Sequence, residues 1–344
     1  MDAVEALRFQ PNRSARALVA HRQKSQGVLP DGGPRLVCVG QVCVEHVISL
    51  PRIPAPGLRT TSRTMFKTPG GHAATVAVFA AGVGAPFAVA SDLVTGLCDD
   101  DESHWVVSAL AERSVNVISV GAPGNGQLNH SVLLLEDDGQ RTVIEEAPSE
   151  PLDAVEACLL PMLGDRDATV LFDATHLEVG LSLAPRLRQR NCAVVFHGTG
   201  LESADVGLSA IAEAFDLVFV DDATLSALGV SGRSEMEAVL ARDNGGPCSG
   251  VVVADVACPA VLYRRQAPPL RALPLAAGAV DVTGASDAFA GVFLASWLCQ
   301  GDPETALHHA QQGAGLAARG LGAHGRLVSW TDLEGPAEPV REGA

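Results

Sequence analysis

Apolar residues follow two alternating patterns along the chain from Arg35 onward. Short runs rich in Val, Leu, Phe and Cys predict buried strands, and Ala-rich stretches with apolar residues at helical spacing predict helices. The predicted strands are 36–39, 42–50, 87–90, 169–172, 193–196, 217–220 and 251–254, and the helical stretches include 72–81 and 105–113. This alternation predicts an α/β fold, with a mostly parallel central sheet flanked by helices.

Two polar, β-rich segments interrupt this alternation. Residues 60–67 form one of them, and residues 131–136 and 141–145 around Asp137-Asp138-Gly139 form a predicted β-hairpin. Because both segments flank the same region, we expect a small second sheet that acts as a lid, from segments at about 45–68 and 127–146. The alternative is an edge hairpin without a role.

The length fits either roughly two domains or one large α/β domain with an appendage. The chain has 344 residues, of which 47% are hydrophobic and only 4% aromatic, so small aliphatic side chains form the core. We expect the folded domain to span residues 35–330. Residues 1–34 mix Arg, Gln, Ser and Gly and are predicted to be a flexible N-terminal extension, and residues 331–344 a flexible C-terminal tail.

The net charge and the spacing of the cysteines restrict the expected binding partners and the expected cellular compartment. A formal net charge of -16 argues against a nucleic-acid partner. No apolar run approaches the roughly 20 residues of a membrane span, so no membrane partner is expected. None of the eight cysteines forms a C-x-x-C pair, which predicts reduced thiols in a cytoplasmic protein and gives no sign of a metal site.

The strongest chemical signal is Asp281-Val282-Thr283-Gly284-Ala285-Ser286-Asp287-Ala288-Phe289. Small residues here open directly into a predicted buried helix, so the backbone can approach a ligand closely. The first N–H groups of a helix lack internal partners and lie at the positive end of its dipole, which suits a phosphate. Asp287 stands at the same place and can accept a proton from an attacking hydroxyl. An ordinary helix start has the same pattern, so spacing alone leaves both interpretations open.

This stretch resembles the second signature of the ribokinase-like (PfkB) carbohydrate kinase family, D-T-x-G-A-G-D-x-F. Ser286 stands where that family has Gly. The resemblance implies a sugar kinase that uses ATP and Mg²⁺, with Asp287 as the catalytic base. It also implies that the N–H groups of Gly284, Ala285 and Ser286 stabilise the transferred phosphoryl group.

The N-terminal half is similar to the same family in its sugar-binding segments. The implied substrate-binding residues are Glu45, Gly70, Gly71, His72, Thr75 and, in a D-G-x-R-T hairpin, Arg141. The form G-G-x-A-A-T, in which Thr replaces the family's Asn, looks most like the sulfofructose kinase branch. The strand near 216–220 and the segment Gly322-Ala323-His324-Gly325 are similar to ketohexokinase.

The two segments that correspond to the family's nucleotide-binding patterns match those patterns less closely. The family's N-x-x-E reads Asp221-Asp222-Ala223-Thr224, and its T-x-G-x-x-G reads Ala254-Asp255-Val256-Ala257-Cys258-Pro259. The implied nucleotide-binding residues are Asp221, Ala254, Thr283 and Gly284, with Asp221 as a weak Mg²⁺ ligand. The family's monovalent-cation site implies K⁺ at Asp281 and Thr283.

The leading hypothesis is therefore phosphoryl transfer from ATP to a small ketose such as fructose or 6-sulfofructose. A sugar-binding or regulatory protein of the same fold that has lost activity is the alternative from another class, and a nucleoside kinase is the third. His104, His130, His176 and His197 form no ligand-spaced pattern and are read as ordinary surface or core histidines. By analogy with the family's lids, we expect a homodimer.

Overall fold

The computed structural model describes residues 33–122, 126–146, 152–164, 167–201, 205–230, 232–241, 248–265, 267–275 and 278–334. Most of the predicted N-terminal extension and C-terminal tail therefore lies outside the described residues. Among the helices of these ranges, none is long and apolar enough to cross a membrane.

The central sheet contains nine strands: β1 Arg35–Val39, β4 Ala90–Thr95, β5 Val115–Ser119, β8 Thr169–Asp173, β9 Ala193–His197, β10 Leu217–Val220, β11 Gly250–Val253, β12 Ala260–Arg264 and β13 Ala267–Ala272. Their order in the sheet is β13-β12-β11-β10-β9-β8-β1-β4-β5. The seven from β11 to β5 run parallel, and β12 and β13 continue the sheet antiparallel at one edge. The predicted parallel sheet is confirmed.

Helices cover both faces of this sheet and enclose an apolar cluster on each side. One cluster contains residues of α1 His72–Gly84, α2 Asp101–Ala111, α8 Ala285–Gln300, α9 Pro303–Ala317 and α10 Trp330–Glu334. The other contains residues of α3 Leu152–Leu163, α4 Leu177–Gln189, α5 Leu208–Ala214, α6 Asp222–Ala227 and α7 Arg233–Ala241. Such two-sided coverage explains why the parallel strands read as continuous apolar runs.

Helices α1 and α8 pack closely against each other, and this contact positions the site described below. Both helices are apolar on nearly all sides, as expected of helices inside a core. Gly291 permits the approach, since a Cβ there would lie 2.5 Å from the carbonyl oxygen of Val76. The starts of the two helices, at His72 and Ala285, therefore lie near one another.

The segments outside the alternation do form a second sheet, which we call the small sheet. Its strands are β2 Cys43–Leu50, β3 Thr64–Gly70, β6 Asn129–Glu136 and β7 Arg141–Glu145, in the order β3-β2-β6-β7. Side-chain contacts join it to helix α2. His130 Nε2 lies 2.9 Å from Glu102 Oε2, and Lys67 Nζ lies 4.4 Å from the ring centroid of Trp105.

One predicted strand is wrong in position. Residues 85–87 form a 3₁₀ turn, and the strand begins only at Ala90. Pro86 favours the turn, and Ala88 adopts a left-handed conformation with φ of 53° that ends it. Strands β5, β12 and β13 were not predicted; β13 contains Pro268 and Pro269, which an edge strand tolerates.

Candidate active site

The candidate site lies at the carboxyl ends of the parallel strands, where ligands of open α/β sheets bind. Strands β1, β8 and β9 end at Val39, Asp173 and His197. The neighbouring strands β10 and β11 lead into Asp221 and Ala254. Helix α8 begins beside these strand ends.

Asp287 lies in the first turn of α8, is nearly fully buried and accepts two hydrogen bonds from histidines. His72 Nδ1 is 3.0 Å and His197 Nε2 is 2.6 Å from the same carboxylate oxygen, Oδ1. Because an ionised carboxylate can only accept, both ring nitrogens donate to it. His72 comes from the start of α1 and His197 from the end of β9.

These contacts shift the pKa values of Asp287 and His72 in opposite directions, and both shifts favour the charged form. Burial alone would raise the pKa of Asp287, but the charge of His72 and the hydrogen bonds from both histidines lower that pKa to about 2. Burial alone would lower the pKa of His72, whereas the carboxylate of Asp287 raises it to about 9. At neutral pH the pair is therefore an ion pair, with an ionised Asp287.

Asp173 forms the floor of the site at the end of β8. Its side chain is fully buried and accepts hydrogen bonds from the backbone N–H of Gln41 at 3.0 Å and from the hydroxyl of Thr175 at 2.6 Å. Burial would raise its pKa, but the hydrogen bond and charge of His176 hold the pKa below the ordinary value. The carboxylate thus ties the turn after β1 to the end of β8.

Gly40 leaves room for that carboxylate, and we expect Gly40→Ala to destabilise the fold by about 1–3 kcal/mol. A Cβ at this position would overlap both Asp173 Oδ2 and the Cβ of Ala73. Urea unfolding of the wild type and the variant measures the difference.

Gly207→Ala is the matched control, because no atom lies within 4 Å of a Cβ built there and the backbone φ of -87° is ordinary. This control substitution stands at a helix start and should change stability by only about 0.5 kcal/mol. Equal effects of the two substitutions would contradict the steric explanation.

The Gly70-Gly71 turn leads from β3 into α1; its second position requires glycine, and its first is closely packed. Gly71 has a φ of 100°, and a Cβ on it would overlap the carbonyl oxygen of Gln41. A Cβ on Gly70 would lie 3.0 Å from the Cβ of Glu45. Thr75, predicted to bind substrate, is buried and donates its hydroxyl hydrogen to the carbonyl of Gly71 at 2.9 Å, so it holds the turn in place.

Glu45 lies on β2 of the small sheet and faces the site. Its register partners on the two neighbouring strands, Thr68 and Ser131, are buried on the same face. Only 8% of Glu45 is exposed, and its Oε2 has no hydrogen-bond partner among the described residues. Burial raises its pKa to about 7; an N–H of Ala323 opposes this rise, and the charges of Asp281 and Asp287 add to it.

The loop before α8 folds on itself through Asp281. Asp281 Oδ1 accepts from the N–H of Thr283 at 2.9 Å and from its hydroxyl at 2.6 Å, and Oδ2 accepts from the N–H of Gly322 at 2.8 Å. Gly284 has a φ of 71° and packs against Ala323, where a Cβ would come within 2.9 Å of Cα. The loop is therefore fixed to the segment that also contacts Glu45.

A cavity of about 910 Å³ adjoins this loop on the side of β10 and β11. Val282 lines it from the loop, Ala285 and Ser286 from the start of α8, and Asp221, Ala254 and Asp255 from the strand ends. Its remaining wall is largely apolar and includes Val256, Leu275, Phe289 and Ala314.

The residues that line this cavity do not coincide with either predicted set, the sugar-binding or the nucleotide-binding residues. Arg141, predicted to face the sugar, lines this cavity together with Asp221 and Ser286. Thr283 and Gly284, predicted to bind nucleotide, are turned towards Asp281 and Ala323 instead. The N–H of Ala285 donates to the carbonyl of Val282 at 3.1 Å, so one predicted phosphate donor is engaged within the turn.

The residues predicted for metal ions differ in how well they fit. Asp221 and Asp255 both line the cavity, and one or two carboxylates together with substrate phosphates are the usual ligands of Mg²⁺. Thr224 fixes Asp221, since its N–H and hydroxyl each donate to Asp221 Oδ1 at 2.7 Å. The oxygens of Asp281 already accept hydrogen bonds from Thr283 and Gly322, so the potassium site stays a prediction.

Sequence reasoning missed the role of His197, which it read as an ordinary histidine. His197 is 90 residues from Asp287 in the chain, so no local pattern joins them. His324 was noted only as part of a motif, yet it is buried, and burial together with the charge of Arg113 lowers its pKa to about 3. The position of His197 at the end of a predicted parallel strand was the one available signal.

Comparison with known proteins gives one family and consistent folds. Residues 34–328 match the family model described as pfkB family carbohydrate kinase. A curated relative, the ATP-dependent ribose-1-phosphate kinase of Halopiger xanaduensis, is 28% identical over 300 residues, which cover 84% of this chain and 93% of that protein.

Among solved structures, the ribokinase of Thermotoga maritima superposes with a TM-score of 0.70 at 20% identity, covering 88% of this chain and 98% of that one. The ribokinase of Giardia lamblia superposes with a TM-score of 0.73 at 15% identity and the same coverage. These two similarities show that the chain has the ribokinase-like fold.

Proposed function

This chain belongs to the pfkB family of carbohydrate kinases, and we propose that it transfers the γ-phosphoryl group of ATP to a hydroxyl of a small sugar. The observation that carries this proposal is the position of Asp287. It stands at the N-terminus of α8, beside the large cavity on one side and the residues of the Gly70-Gly71 turn on the other.

Asp287 would take the proton of the attacking hydroxyl. Both histidines contact Oδ1, so we assign Oδ2 to the sugar hydroxyl. A carboxylate with a pKa of about 2 is a weak base. Phosphoryl transfer through a loose transition state needs the proton removed late, when the new bond to phosphorus has made the hydroxyl acidic, so a weak base suffices.

The large cavity is our proposed ATP site. Its apolar wall of Leu275, Phe289 and Ala314 suits a purine ring, and its carboxylates suit Mg²⁺ bound to phosphates. Bound Mg²⁺ would neutralise charge on the phosphates. Arg141 lies at this cavity and can contact a phosphate, which would explain why it is not on the sugar side.

The proposed sugar site lies between Glu45, the Gly70-Gly71 turn and Asp287. The buried carboxyl group of Glu45 has unmet hydrogen-bonding capacity that suits a polyhydroxyl ligand, and a ketose such as fructose or 6-sulfofructose is the first candidate. The cationic His72 favours a second candidate class, a sugar with an anionic substituent. Ribose 1-phosphate, named as the substrate of the Halopiger relative, belongs to this class.

The small sheet would act as the lid of this site and exclude water, the competing acceptor. Its opposite face carries the register pairs Ile48–Met65 and Val132–Ile144, and Met65 and Ile144 are 63% and 58% exposed. This apolar face supports a homodimer formed through the lid, which light scattering of the purified chain tests. None of the eight cysteines, all of which lie within the described ranges, forms a disulfide, which supports a cytoplasmic location.

The deciding experiment is ADP release by the purified chain with Mg²⁺ and K⁺ across ketoses, aldoses, sugar phosphates and nucleosides. We expect acceptor-dependent ADP release, greatest with a ketose or with a sugar phosphate. Greatest release with a nucleoside would favour the nucleoside kinase.

A binding protein without activity is the rival interpretation, prompted by Ser286, Thr224 and the altered segment 254–259. A thermal shift with Mg·ATP separates the two, because a ligand that binds the native state raises the melting temperature. A shift with sugar but none with Mg·ATP, together with no turnover, would overturn the kinase proposal.

A further inference from the structure

Two imidazoles and one carboxylate converge at the base of the proposed sugar site. His72 Nδ1, His197 Nε2 and a carboxylate oxygen of Asp287 all lie within 4.8 Å of one another. They come from the start of α1, the end of β9 and the first turn of α8. Within the described part of the chain, this is the one cluster of three or more His, Cys, Asp or Glu side chains at such spacing.

The kind of ligand atoms decides which ion this cluster suits. Two nitrogen donors and one oxygen donor match the three protein ligands of an open zinc site, whereas Mg²⁺ and Ca²⁺ prefer oxygen. Zinc lies about 2.0–2.1 Å from such ligands, so two ligand atoms on one ion are roughly 3.3 Å apart. The two nitrogens lie 3.0 and 2.6 Å from Asp287 Oδ1 and within 4.8 Å of each other, so an ion must lengthen both distances to Oδ1, by roughly 0.3–0.7 Å, and bring the two imidazoles to its own ligand spacing.

Two side chains of the cluster are buried, and the third is accessible to solvent. The side chains of His197 and Asp287 are 1% and 5% exposed, and both are set by buried secondary structure. The side chain of His72 is 34% exposed. An ion can therefore enter beside His72 and displace the two hydrogen-bonded protons without rearrangement of the core.

We propose that a borderline divalent transition ion, Zn²⁺, binds to His72, His197 and Asp287 and blocks the carboxylate that the sugar hydroxyl must reach. The ion and the sugar then exclude each other, which makes Zn²⁺ an inhibitor that competes with the sugar. This inhibitory consequence rests on the proposed kinase function, whereas the binding of the ion does not.

The test measures metal binding first, on the full chain without nucleotide. Isothermal titration with Zn²⁺ gives the stoichiometry and affinity, and Co²⁺ as a probe reports nitrogen ligands through its visible absorption. His72→Asn and His197→Gln place an amide nitrogen near the Nδ1 and Nε2 positions. These variants keep a donor to Asp287 and remove the imidazole ligand, and their circular dichroism and melting temperatures check the fold.

We expect one equivalent of ion in the wild type and at least a tenfold weaker affinity in each of the two variants. His104→Gln is the control, since His104 forms an exposed pair with Asp99 at 3.3 Å, and its affinity should equal that of the wild type. No stoichiometric binding overturns the proposal. So does binding that both variants retain, which would place the ion elsewhere, for example at the exposed Cys258.

Inhibition is measured second, with the acceptor found active in the panel. Zn²⁺ should raise the apparent KM for the sugar and leave kcat unchanged, and His72→Asn should need at least tenfold more Zn²⁺ for the same effect. Inhibition that sugar does not relieve overturns the competitive role, while the binding result stands. A chain that binds Zn²⁺ as expected but turns over no acceptor refutes the kinase proposal and leaves the metal site in place.

Discussion

Replacing Asp287 with Asn should lower kcat by about 100- to 10,000-fold, the usual contribution of a general base. The amide keeps an oxygen that can accept the hydrogen bonds from His72 and His197 but cannot take the proton of the sugar hydroxyl. Without the carboxylate, His72 can lose its proton rather than stay a buried unpaired charge, so the fold should be retained. ADP release under saturating sugar and Mg·ATP measures the loss.

Asp101→Asn is the control for this prediction. Asp101 is exposed in the first turn of α2, so this substitution makes the same chemical change at a helix start outside the candidate site. It should retain the turnover of the wild type. Near-normal turnover in Asp287→Asn, with a melting temperature close to that of the wild type, would show that another group is the base.

Replacing Glu45 with Gln should weaken sugar binding and, at neutral pH and above, stabilise the fold. A hydrogen bond to a charged group contributes about 1.5–3 kcal/mol, so the KM for the sugar should rise about 10- to 100-fold. The same side chain destabilises the native state when it ionises, because it is buried and lies near the charges of Asp281 and Asp287.

The sign of the pH effect follows from the pKa of Glu45, which folding raises from 4.5 to about 7. Below pH 4.5 both the folded and the unfolded state hold the proton. Between pH 4.5 and 7 the unfolded state loses it first, so stability falls as the pH rises, by about 3 kcal/mol in all. Glu45→Gln lacks this loss, so its free energy of unfolding should exceed that of the wild type increasingly towards pH 8.

Urea unfolding of both proteins at pH 4.5 and pH 8 measures this difference, with the exposed Glu178→Gln as the control. Parallel changes in the wild type and Glu45→Gln would show that folding does not raise the pKa of Glu45. An unchanged KM for the sugar would remove Glu45 from the proposed binding site.

The strands and helices of the fold were largely predictable, because the spacing of apolar residues within a short segment indicates each of them. Strand β10 lies at the predicted residues, and most other predicted strands and helices differ by a few residues. The position of β4 was missed because Pro86 and the left-handed Ala88 delay its start. The small sheet was predicted as a lid from two polar segments, but their pairing through β2 and β6 is a contact between distant parts of the chain.

The site was predictable where its residues are neighbours in sequence. Asp281, Gly284, Ser286 and Asp287 share one short stretch, and Gly70 and Gly71 share another, so spacing pointed to each. Arg141 was assigned to the sugar side by a hairpin motif, whereas the structure has it at the cavity beside Asp221. A hairpin fixes its own register but not which of two adjoining sites its side chains reach.

By itself, the sequence determined the strand and helix alternation, the glycine turns and the stretch that contains Asp287, because these follow from local periodicity and backbone conformation. Only the tertiary structure decided that His72 and His197 meet on one oxygen of Asp287. These residues are 215 and 90 positions away from Asp287, and they meet because the end of a parallel strand and the starts of two packed helices lie together. No local pattern encodes such a meeting, since it depends on how the strands are ordered in the sheet and how closely α1 and α8 pack.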